Sequence, residues 1–294
     1  YIMTINSYLG NPLLKSLNTP QNYTKEEIEE YIKCRDDPIY FIKTYMTIIN
    51  VDKGLIKFEL WPFQEDLINT LSNNRFSIVK CPRQSGKSQT SLAFMLHYIL
   101  FNEQKNIAIL ANKGATAREL LGRLQFAYEK LPMFIQQGVS EWNKGSIFLE
   151  NGSRILASST SSSAIRGYSF NLIFLDEFAF VPQNLAEEFF NSVYPTISSG
   201  QTSQVIIVST PNGMNHFYKM WTNAIEGRSD YKAFSVNWWD VPGRDEEWKR
   251  QTIANTSEEQ FKQEFETEFL GSAGTLINPA KIASLAVKSP LSRK

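Results

Sequence analysis

The residues Cys81 to Ser88 (CPRQSGKS) have the composition of a loop that binds phosphate. Such a loop offers backbone N–H groups at a helix N-terminus, a lysine that reaches the terminal phosphates and a hydroxyl that holds Mg²⁺. Lys87 and Ser88 supply the last two groups. The usual pattern begins with glycine, where this sequence has Cys81. Because a Gly-Lys-Ser run also occurs by chance in solvated loops, the prediction depends on the elements around it.

Two adjacent carboxylates, Asp176 and Glu177, follow the apolar run 172–175. We predict that Asp176 holds the magnesium shell through water, and that Glu177 orients and polarises the attacking water. Acids in this position could instead cap a helix. The apolar residues 178–180 that follow, and the phosphate loop about ninety residues upstream, favour the catalytic interpretation.

A third polar pair, Ser209 and Thr210, ends the apolar run 205–208, and the residues 211–213 (PNG) predict a tight turn. If this run is a strand of the same sheet, its two hydroxyls lie beside the γ-phosphate and sense whether that phosphate is present. Taken alone, the pattern is equally typical of an ordinary strand followed by a turn.

Short apolar runs alternate with helical periodicity through the middle of the chain. Strands are predicted at 76–79, 107–110, 172–175 and 205–208, with helices between them, such as 89–100. Runs buried on both faces that alternate with helices indicate a parallel sheet covered by helices. The predicted fold class is therefore α/β with a mainly parallel central sheet flanked by helices. Together with the phosphate loop and the carboxylate pair, this sheet indicates a P-loop NTPase of the RecA-like (ASCE) type. A hairpin formed by 147–149 and 154–157 is inserted into it.

Helices are also predicted in the segments on both sides of this core. A capping box at Thr24 and Glu27 and a proline at position 38 predict two helices in the first fifty residues. Phenylalanines at four-residue spacing predict a helix over 257–269. The predicted layout is an N-terminal helical segment (1–60), a P-loop ATPase core (61–234), a C-terminal lid or subdomain (235–276) and a tail or linker (277–294).

Composition limits the function classes. The 294 residues carry 30 basic and 30 acidic side chains, so there is no basic excess to support strong, passive DNA binding. No apolar run is long enough to span a bilayer, and a cytosolic globular protein without a membrane partner is expected. The two cysteines are expected to be free thiols, and with the two histidines they give no zinc-ligand spacing.

Together, the segments 83–88, 175–182 and 209–213 resemble the large terminase of tailed phages, most closely the T-even-like branch. The segments 141–146 and 164–170 add to the resemblance, which extends from about Trp61 to Leu276. It implies the ATPase motor domain of a viral DNA-packaging enzyme, which hydrolyses ATP with Mg²⁺ and translocates double-stranded DNA into a procapsid. The implied partners are the portal protein, the terminase small subunit and further copies of the chain in a ring on the portal. The implied location is the host cytoplasm.

The resemblance also implies roles for individual residues. Phe63 and Gln64 match a motif that recognises adenine, although a helix start with a core aromatic explains the same residues. Arg83 matches a loop arginine that stabilises or senses the γ-phosphate. Arg166 matches an arginine that reaches a neighbouring subunit's nucleotide, although an arginine in a loop can also be simply solvated. The remaining residues expected to bind nucleotide are Gln84, Ser85, Gly86 and Gln89, beside Lys87, Ser88, Asp176, Ser209 and Thr210.

The resemblance also bears on nuclease activity. Family members continue into a metal-dependent nuclease domain, whereas about eighteen residues follow Leu276 here, so we expect no nuclease activity.

Two alternative functions remain open. A helicase-like remodelling ATPase shares the phosphate loop and the Asp-Glu strand, but it would need paired RecA-like cores. A nucleotide-binding scaffold subunit is the second alternative, and the complete Lys87, Asp176 and Glu177 set argues against it.

Overall fold

The computed structural model describes residues 7–161, 167–198 and 200–271. The strands of the described residues are β1 (Ser7–Tyr8), β2 (Asn11–Lys15), β3 (Thr47–Asn50), β4 (Gly54–Lys57), β5 (Phe76–Lys80), β6 (Asn106–Ala111), β7 (Val139–Trp142), β8 (Ser146–Leu149), β9 (Arg154–Ser159), β10 (Leu172–Asp176), β11 (Gln204–Ser209) and β12 (Lys232–Ser235). The helices are α1 (Lys25–Asp36), α2 (Pro38–Tyr45), α3 (Pro62–Asn73), α4 (Lys87–Phe101), α5 (Gly114–Glu129), α6 (Gln183–Ser198), α7 (His216–Ile225), α8 (Glu246–Asn255) and α9 (Glu258–Glu264).

An eight-stranded sheet organises the molecule, in the order β12-β5-β11-β10-β6-β9-β8-β7. The first six strands of this order are mutually parallel, and β8 and β7 continue the sheet antiparallel. Every residue of β10 is buried, as a strand covered by helices on both faces requires. The predicted parallel α/β fold is confirmed. The carboxyl ends of β5, β10 and β11 meet at one edge, because these strands are parallel neighbours.

Two apolar layers cover the sheet, one on each face. The larger layer lies between the sheet and α2 to α5, and the smaller lies between the sheet and α6 and α7. A third, separate cluster of Trp238, Phe261 and Phe265 holds together α8, α9 and the short turn Trp238–Asp240. We call residues 238–270 the C-terminal unit. No helix of the described residues is long and apolar enough to cross a membrane.

Several local predictions are confirmed in atomic detail. The Thr24 hydroxyl accepts from the Glu27 N–H at 3.2 Å, and the Glu27 carboxylate accepts from the Thr24 N–H at 3.0 Å, so the capping box that starts α1 is complete. Pro38 opens α2, where its missing N–H costs nothing. The inserted hairpin is β8 and β9, turning at Gly152 with φ of 78°.

Other local predictions were wrong. The first sixty residues also contain the hairpins β1–β2 and β3–β4, because β-branched Ile48 and Ile49 favour a strand and Asn50 and Gly54 close a tight turn. The helix predicted over 257–269 ends at Glu264, and Thr267 adopts a left-handed φ of 56° that no helix can continue through. The edge strand β12 was not predicted, since its four residues (KAFS) carry no continuous apolar run.

Candidate nucleotide-binding site

The phosphate loop runs from the end of β5 to the start of α4. Gln84 and Gly86 have φ of 57° and 76°, and these left-handed conformations lie in the turn that precedes α4. Gly86 is the N-cap of α4 and makes no side-chain cap, so the first N–H groups of the helix are left for a ligand. A Cβ on Gly86 would lie 2.6 Å from Nε2 of Gln64. A turn of this kind with free N–H groups at a helix N-terminus is the geometry that a phosphate group requires.

Gln64 contacts the phosphate loop through its side chain. It is 2% exposed, its Oε1 accepts from the Trp61 N–H at 3.0 Å, and its Nε2 donates to the Ser85 carbonyl at 3.2 Å. Phe63 is half-buried, packs against the core and lies 5.7 Å from the Trp61 ring. The roles of Phe63 and Gln64 in base recognition stay predictions, while the support of the loop by Gln64 is a contact of this structure.

Gln89 faces a cavity outside α4. The cavity has a volume of about 650 Å³ and lies between β3, the first turns of α4, and α5. Its lining is Ile48, Ile49, Val51, Gln89, Glu119, Gly122, Arg123 and Phe126. Gln89 is the one residue of this lining that was predicted to bind nucleotide, and none of residues 81–88 is part of the lining.

Asp176, the last residue of β10, lies next to the loop. Its Oδ1 accepts from the Ser88 hydroxyl at 2.8 Å, and the side chain is almost fully buried. Burial and the neighbouring Glu177 charge raise the pKa of Asp176 to about 6, against the opposing effects of Ser88, Lys87 and Arg123. A buried carboxylate and a hydroxyl in contact are hard oxygen ligands, so the donor set fits Mg²⁺.

Glu177 follows in a left-handed backbone conformation, with φ of 47° and ψ of 44°. This conformation is uncommon for a residue with a side chain, and such strain concentrates at functional sites. It brings Oε1 of Glu177 to 3.0 Å from Nζ of Lys87, whose side chain is 6% exposed. The predicted catalytic carboxylate and the predicted phosphate lysine are therefore direct partners.

The end of β11 joins the same group. The Ser209 hydroxyl lies 3.4 Å and the Thr210 hydroxyl 3.3 Å from Oε2 of Glu177. Ser209 also accepts from the Ala179 N–H at 3.1 Å and donates to the Thr210 carbonyl at 2.7 Å. The three sequence motifs converge on one edge of the sheet, with Glu177 at their centre.

Of the two candidate arginines, Arg166 lies outside the described residues. Arg83 is in the loop, and its exposed guanidinium pairs with Glu264 at 3.0 Å. Sequence reasoning missed Glu264 and Arg244, which contact the loop from the C-terminal unit. They lie more than 150 residues away along the chain, so no local pattern could have found them.

Comparison with known proteins places this site in a family. A family model described as "Terminase large subunit, T4likevirus-type, N-terminal" matches residues 78–284, more than half of the chain. The large terminase subunit of Thermus phage G20c is 27% identical in an alignment of 128 residues, with a coverage of 39% of this chain and 26% of that relative. The matched region thus spans about a quarter of the relative's length.

Solved structures share the fold. The large terminase ATPase domain of Thermus phage P74-26, in a point-mutant form, is similar with a TM-score of 0.61 and 21% identity, over 72% of this chain and 95% of that one. The large terminase of bacteriophage HK97 is similar with a TM-score of 0.66 and 17% identity, over 80% of this chain and 55% of that one. The fold is therefore that of a P-loop NTPase.

Proposed function

We propose, since this chain belongs to the T4-like terminase large subunit family, that it is the ATP-hydrolysing motor of a viral packaging enzyme. ATP hydrolysis on this chain drives double-stranded DNA through a portal into a procapsid in the host cytoplasm. The portal protein, the terminase small subunit and further copies of this chain in a ring are the proposed partners. Family membership supports this function over a helicase-like ATPase.

One observation carries the proposal. Lys87, Ser88, Asp176 and Glu177 form two contacts, 3.0 Å between Lys87 and Glu177 and 2.8 Å between Ser88 and Asp176, at the mouth of the phosphate loop. These are the groups that phosphoryl transfer to water requires: a phosphate cation, a metal site and a carboxylate for the nucleophile.

Each residue has a step in the proposed reaction. The N–H groups at the start of α4 and Nζ of Lys87 bind the β- and γ-phosphates and stabilise the charge of the transition state. When Lys87 turns to the phosphates, it leaves Glu177. The freed carboxylate then accepts a hydrogen bond from the attacking water and orients it for in-line attack.

Ser88 and Asp176 would hold Mg²⁺, which supplies charge neutralisation on the phosphate oxygens when it is bound. Their part is to fix two oxygen ligands at the buried edge of the sheet. The charge of Asp176 is costly without a cation beside it, as its raised pKa indicates.

Coupling to movement would start at Glu177 as well. Ala179, two residues on, donates to Ser209 through its N–H, and its carbonyl accepts from Nδ2 of Asn215, the N-cap of α7. Loss of the γ-phosphate changes the hydrogen bonds of Glu177, and this chain of contacts transmits the change to α7. A core over 61–234 and a lid over 235–276 are the bodies we propose to move relative to each other.

A Glu177→Gln variant tests the proposed function. Glutamine keeps the side-chain length but cannot polarise the water, so turnover should fall by about 10²- to 10⁴-fold while ATP binding is retained. Phosphate release and binding of a labelled ATP analogue measure the two quantities. The matched control is Glu65→Gln, which removes the Lys43–Glu65 ion pair of 2.8 Å on the surface of α3. Turnover by Glu177→Gln at the control's rate would refute the assignment.

A further inference from the structure

A second concave site lies beyond the carboxyl ends of β10 and β11, with a volume of about 560 Å³. Its walls are the turn that follows Glu177, the turn that follows Thr210, and α9. The aromatic and polar side chains of its lining are Phe180, Gln183, Asn212, Asn215, Glu259 and Gln263. We call this site the amide pocket. None of residues 81–88 is part of the lining, and neither is Asp176 or Glu177, so the pocket is distinct from the nucleotide site.

The chemistry of the amide pocket fits a cation. Of the lining residues that the structure describes, Glu259 alone carries a charge, and its exposed carboxylate forms no ion pair with the described part of the chain. The Phe180 ring is 41% exposed. A free carboxylate, an open aromatic ring and amide oxygens are the groups that attract an ammonium or guanidinium ion. A phosphate group would instead meet the charge of Glu259.

Hydrogen bonds connect one wall of the amide pocket to the proposed catalytic carboxylate. The Ala179 carbonyl accepts from Nδ2 of Asn212 at 3.3 Å and from Nδ2 of Asn215 at 2.6 Å. The Ala179 N–H donates to the Ser209 hydroxyl at 3.1 Å, and that hydroxyl lies 3.4 Å from Oε2 of Glu177. A ligand that changes the Asn212 or Asn215 amide therefore acts on the turn that holds Glu177.

Asn212 is the amide that a ligand can reach. Its side chain is exposed, and its Oδ1 accepts no hydrogen bond from the residues that the structure describes. In Asn215 the corresponding oxygen already accepts from the Phe217 N–H at 3.1 Å. A cation held at Oδ1 of Asn212 polarises the amide and strengthens the hydrogen bond that Nδ2 donates to Ala179. The turn after Glu177 would then be held more firmly.

We propose that the amide pocket binds a lysine or arginine side chain of a second copy of this chain, and that this contact raises ATP turnover. The proposal rests on the function proposed above, in which copies form a ring, and it names a surface through which one copy acts on the next. A closed ring brings one surface of each copy against a different surface of its neighbour. Charge decides for this occupant over DNA, since a neighbouring copy presents cations and DNA presents phosphates.

The test compares two adjacent acids at the start of α9. Glu259→Gln removes the charge of the amide pocket, whereas Glu258→Gln removes an exposed carboxylate that does not line it. The measurement is phosphate release per chain at increasing concentrations of the full chain, at low salt. For the wild type and Glu258→Gln we expect turnover per chain to rise with concentration to a plateau. Glu259→Gln should need about fivefold more protein for the half-maximal rise, which is the upper value of an exposed ion pair.

Two further variants test the chemistry of the amide pocket. Glu259→Lys places like charges together, so the rise with concentration should disappear. Phe180→Leu keeps an apolar side chain but removes the aromatic ring, and it should shift the half-maximal concentration in the same direction as Glu259→Gln. High salt screens exposed ion pairs, so the wild type and Glu259→Gln should coincide near about 1 M NaCl.

Sedimentation equilibrium on the same samples separates docking from a structural role. Weaker self-association of Glu259→Gln, with an unchanged Kd for a non-hydrolysable ATP analogue, is the expected result. A structural role of Glu259 would change the Kd or the thermal unfolding of the single chain and leave self-association as it is.

A wild type that hydrolyses ATP at the same rate per chain at every concentration, and stays monomeric, would overturn the docking of a second copy and leave the proposed function intact. Equal behaviour of Glu258→Gln and Glu259→Gln would do the same. A wild type that hydrolyses no ATP at any concentration would overturn the proposed function, and the role of the amide pocket with it.

Discussion

At the scale of single residues, the site is defined by buried charge. Asp176 is held at the end of β10 with a raised pKa, and Lys87 is buried against Glu177. Both arrangements cost stability in the absence of a ligand, since charged groups lose hydration on burial. We infer that the site is built for binding at the expense of folding.

The Asp176→Asn variant should separate the effect of the buried charge on folding stability from its effect on ATP turnover. The pKa of Asp176 in the folded protein, about 6, lies above its ordinary value, so the folded protein binds this proton more tightly than the unfolded chain does. Wild-type stability therefore falls as the pH rises from about 4 to about 6. At a pH of about 8 the variant should gain on the order of 2 kcal/mol in free energy of unfolding. At a pH of about 4 the difference should nearly vanish.

Denaturant unfolding without nucleotide measures this difference, and phosphate release should show that the stabilised variant has lost turnover. Asp66→Asn, on the exposed side of α3, is the control and should show no pH-dependent gain. A variant that is less stable than the wild type at the higher pH would contradict the cost assigned to the buried charge.

Sequence reasoning was strongest at this scale where residues are close along the chain. Strand ends and short motifs carry their own signals, and from these the sequence predicted that Lys87, Ser88, Asp176 and Glu177 lie together, as they do. Glu264 carries none, because it is one acid in the charged helix α9 and its contact with Arg83 is made across the molecule.

At the scale of elements, the start of α4 decides whether the loop can receive phosphate. Gly86→Ala places a Cβ at φ of 76° and 2.6 Å from Nε2 of Gln64, so either the loop or the glutamine must move. We expect a loss of about 1–3 kcal/mol in free energy of unfolding and a loss of ATP binding. The control is Gly122→Ala in α5, where nothing lies within 4 Å and alanine should stabilise the helix.

Thermal unfolding and titration with an ATP analogue measure both variants. Wild-type affinity in Gly86→Ala would show that the loop does not need the left-handed turn.

The elements themselves were predicted where they are long and apolar, such as β10 and β11. The strands β3, β4 and β12 were missed, since they are short, none of their residues is fully buried, and their pairing is set by neighbours that no periodic pattern identifies.

At the scale of the whole molecule, one sheet edge collects three motifs that are separated by up to about 130 residues. A parallel sheet achieves this because all of its strands end on the same side. The fold class followed from alternating apolar runs and helices. The attachment of the C-terminal unit to the phosphate loop could not be predicted from the sequence, because it depends on tertiary contacts that leave no periodic pattern.

The most direct test of the account is a crystal structure of this chain with a non-hydrolysable ATP analogue and Mg²⁺. We predict that Nζ of Lys87 lies within hydrogen-bond distance of the terminal phosphates, that Ser88 and Asp176 face the cation, and that Glu177 faces the γ-phosphate across one water. A triphosphate bound elsewhere, or a loop site in which Asp176 and Glu177 point away from the nucleotide, would contradict the account.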